Sequence, residues 1–242
     1  MRTIMPLFVL IACILCLAAT ATAQPPSSPA ELAGAWTYAR EASGHVYVDT
    51  LELADGPDGP TGSTTYMDKG EERHELFKLF SLDPGGDVVF VTNRPGGTVV
   101  RHEGEWTEDG RSIRGRYSLG MGVGGPFVLA RRDAARPLPM SARWEYQILD
   151  PEGGAGMFAE GGLLQDTTGR FEGYFRYRRG DGTPRKVEGE EAADGTLTFL
   201  IYEKKTYRHQ GTLDAAGTRA EGRWTDTADG KGGGFVLLRM DD

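Results

Sequence analysis

Phe127-Val-Leu-Ala-Arg131, in the middle of the chain, recurs 108 residues later as Phe235-Val-Leu-Leu-Arg239. Solenoid and propeller repeats are about 20–50 residues long, so this period is too long for either architecture. Two further segments recur at almost the same spacing: Arg101-His102-Glu103-Gly104 as Arg208-His209-Gln210-Gly211, and Trp36-Thr37-Tyr38 as Trp144-Glu145-Tyr146. The sequence therefore predicts a duplicated domain.

Residues 1–23 have the features of a secretory signal peptide. An arginine stands second in the chain, Leu7–Ala18 is apolar, and Ala21-Thr22-Ala23 is a small-residue cleavage site. We therefore expect a secreted or periplasmic protein. Two alternatives stay open. One is a retained anchor, although a membrane span needs about 20 apolar residues. The other is a lipoprotein attached at Cys13, because Leu10-Ile11-Ala12-Cys13 matches a lipobox.

Cleavage would change what chemistry the chain can perform. Cys13 and Cys16 are the only cysteines of the 242 residues, so the mature chain would have no disulfide, no thiolate nucleophile and no cysteine-based zinc site. Its formal charge would move from −8 to −9, because the removed segment carries one arginine. A chain this acidic has no general affinity for nucleic acid or anionic lipid. We expect neither nucleic acid as a partner nor a membrane span in the mature chain.

Each repeat has the pattern of β-structure, in which short runs alternate in period two between turn residues such as Asp109-Gly110 and Asp194-Gly195. No convincing helix is found, and residues 76–82 have the least regular periodicity. The predicted strands of the second repeat are 143–149, 157–164, 170–178, 185–190, 196–203, 206–213, 219–225 and 234–239. The predicted boundaries are a Pro/Ser-rich spacer at 24–31, repeat 1 at 32–132, a linker at 133–140 and repeat 2 at 141–242.

Seven or eight antiparallel strands in about 100 residues predict an all-β protein of two tandem, homologous barrels or barrel-like sandwiches. Glycines that recur in both repeats, Gly104 with Gly211 and Gly115 with Gly222, are expected at bulges or sharp bends that let a small sheet close. A transmembrane barrel is not expected, because the predicted outward faces are charged and lack an aromatic girdle.

The two ends of the first repeat resemble those of the calycins, the group that contains lipocalins, fatty-acid-binding proteins and avidins. Gly34-x-Trp36 opens the first predicted strand and Arg131 ends the last one. The resemblance implies a barrel whose first-strand tryptophan closes one end, with the basic residue stacked across it. The second repeat offers Trp144 and Arg239, but Ala142 stands at the glycine position.

A histidine recurs in both repeats, and strand alternation points it inward. His102 shares a face with Trp106, and His209 shares one with Tyr207. An inward histidine could bind a ligand, a haem or a metal. It could equally be a core residue bound to a backbone carbonyl or a tyrosine. Stable metal sites usually need three or four protein ligands, so we expect no metal and no cofactor.

Aromatic residues are dense in the second repeat, where Trp224 replaces Tyr117 of the first. Such residues could line an apolar cavity with polar tips or form ordinary core packing. The residues of this set are Phe171, Tyr174, Phe175, Tyr177, Phe199, Tyr202 and Tyr207. Together with the histidines, they give the candidate ligand-binding residues His209, Tyr207, Tyr174, Trp224, His102 and Trp106.

No catalytic motif is present, and no catalytic residue is predicted. His74-Glu75 lies in a charged run without a second histidine at useful spacing, so we expect it to be exposed and without a counterpart in repeat 2. The leading hypothesis is an exported, non-enzymatic protein that captures a small, partly apolar or amphipathic molecule in a barrel interior. The alternative is an envelope or extracellular module with solid barrels that contacts a protein or glycan. A third hypothesis is an enzyme built in a barrel mouth.

Overall fold

The computed structural model describes residues 28–42, 45–57, 59–68, 71–82, 86–94, 97–120, 122–132, 138–149 and 155–240. The predicted signal peptide, Cys13, the first half of the predicted spacer and the first part of the predicted linker lie outside these residues. Among the residues described, no helix has the length and apolar character needed to cross a membrane.

The first barrel follows a short 3₁₀ helix (Pro29–Leu32), which includes the last residues of the predicted spacer. Its strands are β1 (Gly34–Ala42), β2 (His45–Ala54), β3 (Thr61–Asp68), β4 (Glu71–Leu82), β5 (Asp87–Asn93), β6 (Val99–Trp106), β7 (Ser112–Ser118) and β8 (Gly124–Arg131).

The second barrel has the same number of strands. They are β9 (Ala142–Leu149), β10 (Ala155–Gln165), β11 (Arg170–Tyr177), β12 (Arg185–Glu191), β13 (Thr196–Tyr202), β14 (Thr206–Leu213), β15 (Arg219–Asp226) and β16 (Gly232–Met240). Every strand predicted for this repeat is present, with ends within two residues of the prediction.

Both sheets are antiparallel, each strand pairs with its neighbours in sequence, and the first strand closes on the last. Trp36 is paired with Arg131 across β1 and β8, and Trp144 is paired with Arg239 across β9 and β16. The predicted all-β fold of two tandem domains is therefore confirmed. Of the two predicted architectures, barrel or barrel-like sandwich, each repeat forms a closed barrel.

A buried tryptophan lies at one end of each barrel, called here the closed end. The indole Nε1 of Trp36 and that of Trp144 each donate a hydrogen bond to the carbonyl four residues earlier, at 2.9 and 3.1 Å. The Arg131 guanidinium lies 4.8 Å from the centre of the Trp36 ring, as the resemblance implied. Arg239 is exposed beside Trp144.

The recurring glycines lie where two strands approach each other closely. Gly104 faces Gly115, and Gly211 faces Gly222. A Cβ on Gly115 would lie 2.5 Å from the Gly104 Cα and 2.0 Å from the Glu103 carbonyl oxygen. Only glycine fits such a close backbone approach, which lets the sheet bend tightly.

The barrels lie side by side and contact each other through outward-facing side chains. An apolar cluster joins the outer face of the first barrel to β10 of the second: Ala39, Val46, Val128, Ala130 and Leu164. Next to it, the Ser112 and Thr167 hydroxyls lie 2.8 Å apart, and Arg114 donates to Asp166 at 3.3 Å. The two repeats therefore share an interface of apolar and polar contacts.

Candidate functional site

A buried histidine–tyrosine pair lies in the core of each barrel. The Tyr38 hydroxyl and Nε2 of His102 share a hydrogen bond of 2.6 Å, and the Tyr146 hydroxyl donates to Nε2 of His209 at 2.7 Å. The donor role of Tyr146 is assigned because Nδ1 of His209 faces the Tyr207 carbonyl at 3.2 Å, which only an N–H can satisfy. Burial lowers the pKa of both histidines to about 3, so both rings are neutral.

A phenylalanine is stacked on each of these histidines. Phe90 lies 4.2 Å from His102 and Phe199 lies 4.4 Å from His209, measured between ring centres. From this layer to the closed end the large apolar side chains that face the interior are buried in both barrels. Among the residues described, no group of three or more histidine, cysteine or acidic side chains is placed to hold a metal ion.

Above the pair in the first barrel, towards the β1–β2 hairpin, lies a charged plug formed by Arg40, Asp49 and Glu75. Arg40 is 4% exposed, and its Nη1 lies 3.3 Å from the Glu75 carboxylate and 3.6 Å from that of Asp49. The guanidinium also lies 5.4 Å from the ring centres of Tyr38 and Tyr47. Desolvation raises the pKa of Asp49 to about 6. Buried charges that are paired in this way fill the barrel at this level.

Glu75 is completely buried, which corrects the expectation that His74-Glu75 is exposed. It accepts hydrogen bonds from the Thr92 hydroxyl at 2.8 Å and from Arg94 Nε at 2.9 Å, whereas His74 is exposed. The charged run suggested a solvated segment, but alternation along β4 turns every second residue inward. Burial is tolerated because each carboxylate oxygen has a charged or hydroxyl donor.

The second barrel lacks this plug. Ile148 stands in place of Arg40, two residues after the tyrosine of the pair. Ala159 stands in place of Asp49, since these residues are the cross-strand partners of Tyr146 and Tyr38. Two charged or polar side chains of the first barrel are thus replaced by apolar ones.

The ion pair between Glu75 and Arg94 is reversed in the second barrel. Arg185 Nε lies 4.0 Å from Glu203 Oε1, and their side chains are 24% and 22% exposed. Arg185 is therefore a counterpart of Glu75, although none was expected from the sequence. The reversed pair lies nearer to solvent than Glu75, whose side chain is 0% exposed.

Half-buried side chains surround this open end, which we call the mouth of barrel 2: Ile148, Tyr177, Arg185, Glu203, Tyr207 and Trp224. The rings of Tyr207 and Trp224 meet edge to face, with centres 5.8 Å apart. Desolvation, and after it a hydrogen bond from Tyr177 to Glu203, raise the pKa of Tyr177. The mouth thus combines two aromatic walls with Arg185, which is paired with Glu203 and, through Nη2, with Asp181 at 3.0 Å.

Two N–H groups of the mouth are shielded from solvent and have no hydrogen-bond acceptor among the described residues: Trp224 Nε1 and Arg185 Nε. Tyr117, which occupies the position of Trp224 in the first barrel, is buried and donates to the Glu41 carbonyl at 2.9 Å. The replacement therefore removes a satisfied hydroxyl and introduces a donor without an acceptor.

The candidate ligand-binding residues fall into three places. His209, Tyr207 and Trp224 come together at and below the mouth of barrel 2. His102 lies in the core of the first barrel. Trp106 lies at the closed end of that barrel, where the centres of the Trp106 and Trp36 rings are 6.1 Å apart. Tyr174 lies on the outer face of β11 and lines a groove between the barrels. The predicted aromatic cavity is therefore split, since Tyr174 and Tyr202 point outward while Phe171, Phe175 and Phe199 are core.

Three residues of the mouth were not predicted from the sequence: Ile148, Arg185 and Glu203. Ile148 could have been found, because the alignment of the repeats places it at the position that Arg40 has in the first repeat. For Arg185 and Glu203 the register across β12 and β13 is needed. No protein-family model and no curated protein matches the sequence, so the interpretation of the site rests on its geometry.

Proposed function

We propose that this protein is an exported, non-enzymatic binding protein that takes a small, partly apolar molecule into the mouth of barrel 2. The contrast between the two barrels carries the proposal. The same position is filled by the buried Arg40 and Glu75 in the first barrel and is lined by half-buried Ile148 and Arg185 in the second. The interior below is filled by core side chains, so the mouth, and not the centre of the barrel, is the proposed site.

The side chains of the mouth indicate the chemistry of the ligand. Ile148, Tyr207 and Trp224 offer apolar surface, which suits a flat or aliphatic body. The indole N–H of Trp224 and Nε of Arg185 lack acceptors. A buried donor without an acceptor costs about 1–3 kcal/mol, so a ligand with a carboxylate or similar acceptor would remove that cost. An amphipathic molecule with one anionic group fits both features.

The resemblance to calycins supports the proposal by analogy, because both closed barrels carry the tryptophan that it implied and Arg131 of the first barrel is stacked on it. Fold alone does not fix function.

Export is proposed from the features of residues 1–23, and sequencing of the secreted or periplasmic protein should find Gln24 at its N-terminus. An N-terminus at Cys13 would instead indicate a lipoprotein.

A fluorescence titration with anilinonaphthalene sulfonate, an amphipathic anion, tests the proposed site. Ile148→Arg places a side chain as long as that of Arg40 in the mouth, without the acidic partners of Arg40, and should weaken binding at least about tenfold, because the longer side chain occupies the mouth. Gln147→Arg makes the same change one residue earlier on β9, where the side chain faces outward, and should leave binding unchanged. Equal binding by wild type and Ile148→Arg would refute this site.

A further inference from the structure

A groove of about 780 Å³ lies between the two barrels, separate from both interiors. One wall is the β7–β8 hairpin of the first barrel, and the other is the outer face of β10 and β11. Five of the lining residues are glycines: Gly124, Gly125, Gly161, Gly180 and Gly182. At Gly182 nothing lies within 4 Å of the place that a Cβ would occupy, so a ligand can approach the backbone closely there.

The groove is basic although the chain has a net charge of −8. It is lined by two more arginines than glutamates: Arg116, Arg143, Arg176 and Arg178 against Glu41 and Glu160. Glu160 is already bound by Arg143 at 2.6 Å and by Arg178 at 3.4 Å. Arg178 also lies 2.7 Å from Glu145, so Glu160 and Glu145 neutralise Arg143 and Arg178, and Arg116 and Arg176 remain against Glu41.

Arg116 and Arg176 are exposed and form no ion pair within the described parts of the chain. They belong to different barrels, Arg116 to β7 and Arg176 to β11. Tyr174, which is half-buried, precedes Arg176 by two residues on the same outward face of β11. The groove thus presents two unpaired guanidinium groups and one aromatic ring.

We propose that this groove binds an acidic polysaccharide, a chain of uronic-acid sugars. A guanidinium matches a carboxylate with two parallel hydrogen bonds, so arginines on opposite walls can each take a carboxylate of the same chain. The Tyr174 ring offers a flat apolar face with a polar tip to a sugar ring. Gly180 and Gly182 leave room for a ring to lie against the backbone.

An acidic peptide fits the groove less well than a sugar chain. Extended peptides are commonly bound by pairing with a free sheet edge, and both barrels are closed, so they offer no edge for such pairing. Recognition here has to come from side chains, which favours a ligand that carries its charges on rigid rings.

Calorimetric titration with oligogalacturonate tests the proposal. Arg116→Gln and Arg176→Gln should each weaken binding about tenfold or more, as expected for loss of a charge-assisted hydrogen bond. Arg176→Lys keeps the charge but not the paired donors and should also weaken binding. Arg208→Gln removes the same charge from an exposed position on β14, outside the groove, and should leave binding unchanged. Ile148→Arg should have no effect, because Ile148 does not line the groove.

Four outcomes would overturn the proposal. The first is no binding of oligogalacturonate, and the second is binding of its carboxyl-reduced, neutral form with the same affinity. The third is a loss of affinity in Arg208→Gln as large as that in Arg176→Gln. The fourth is binding of polyglutamate that is as tight as that of oligogalacturonate and that depends on Arg176. The third outcome would indicate diffuse charge, and the fourth would indicate an acidic peptide.

Discussion

At the residue scale, several positions differ between the two barrels, and the replacement of Arg40 by Ile148 is the one on which the proposed site depends. Arg40 and Ile148 occupy equivalent positions beside the tyrosine of the histidine–tyrosine pair. Arg40 is buried with Glu75 and Asp49, and the pairing offsets the desolvation of these charges. Ile148 carries no charge that needs a partner and gives the mouth of its barrel an apolar side chain at this position. The residues that recur in both barrels, His102 and His209 with their tyrosines, form the common core, and the residues that differ give the mouth its chemistry.

Arg40→Ile should lower the free energy of unfolding by about 3–5 kcal/mol, because Glu75 would lose a buried cationic partner. Adding Glu75→Gln should recover part of the loss, since a neutral amide is less costly to bury. Urea unfolding of the two single variants and the double variant measures this coupling. Additive losses would show that Arg40 and Glu75 do not interact in the folded state.

The buried histidine of the second barrel should make stability depend on pH. Burial lowers the folded-state pKa of His209 from 6.5 to about 3, so protons bind more tightly to the unfolded chain. The stabilisation is complete above pH 6.5 and is lost as the pH falls towards 3, at about 1.4 kcal/mol per pH unit. His209→Gln should reduce this slope between pH 6.5 and 4.5 in urea unfolding. Tyr146→Phe, which removes the hydrogen bond but keeps the histidine, should retain the slope.

At the element scale, the strands were predictable because alternation and turn residues depend on local chemistry alone. The inward direction of His102 and His209 followed from the same alternation. The burial of Glu75 did not, because a charged run resembles a solvated segment until its cross-strand neighbours, Thr92 and Arg94, are known. The outward direction of Tyr174 was missed because aromatic density was considered without assigning each residue to a face.

Gly115→Ala and Gly222→Ala should each destabilise the fold by about 1–3 kcal/mol or more, because the added methyl group meets backbone atoms of the neighbouring strand. Ser118→Ala, at an exposed position on the same strand as Gly115, serves as the control and should be nearly neutral. Thermal unfolding measures the difference. A neutral Gly115→Ala would mean that the two strands are further apart than described.

At the scale of the whole molecule, the duplication produces two similar barrels that are joined through their outer faces. Leu164 of the second barrel covers small apolar residues of the first, including Ala39 and Val128. Alternation predicts that such residues point outward, and only the docking of the two barrels explains why they are buried. The sequence therefore predicted the number and type of the domains but not the contact between them.

Leu164→Asp should weaken this contact, because a carboxylate would replace the apolar side chain against the first barrel. We expect unfolding to separate into two transitions and the radius of gyration measured by X-ray scattering to increase. Val48→Asp introduces the same charge at an exposed position on the outer face of the first barrel, where Val48 is 49% exposed, and should change neither. An unchanged single transition in Leu164→Asp would contradict an interface centred on this residue.

The two barrels share a scaffold, and we propose that, within the described residues, the second alone has a ligand-binding mouth. Native mass spectrometry with an amphipathic anion such as anilinonaphthalene sulfonate tests it most directly, because it counts bound molecules per chain. The account predicts one specifically bound molecule in the wild type and none in Ile148→Arg. Two equivalent molecules per chain, or one that persists in Ile148→Arg, would contradict it.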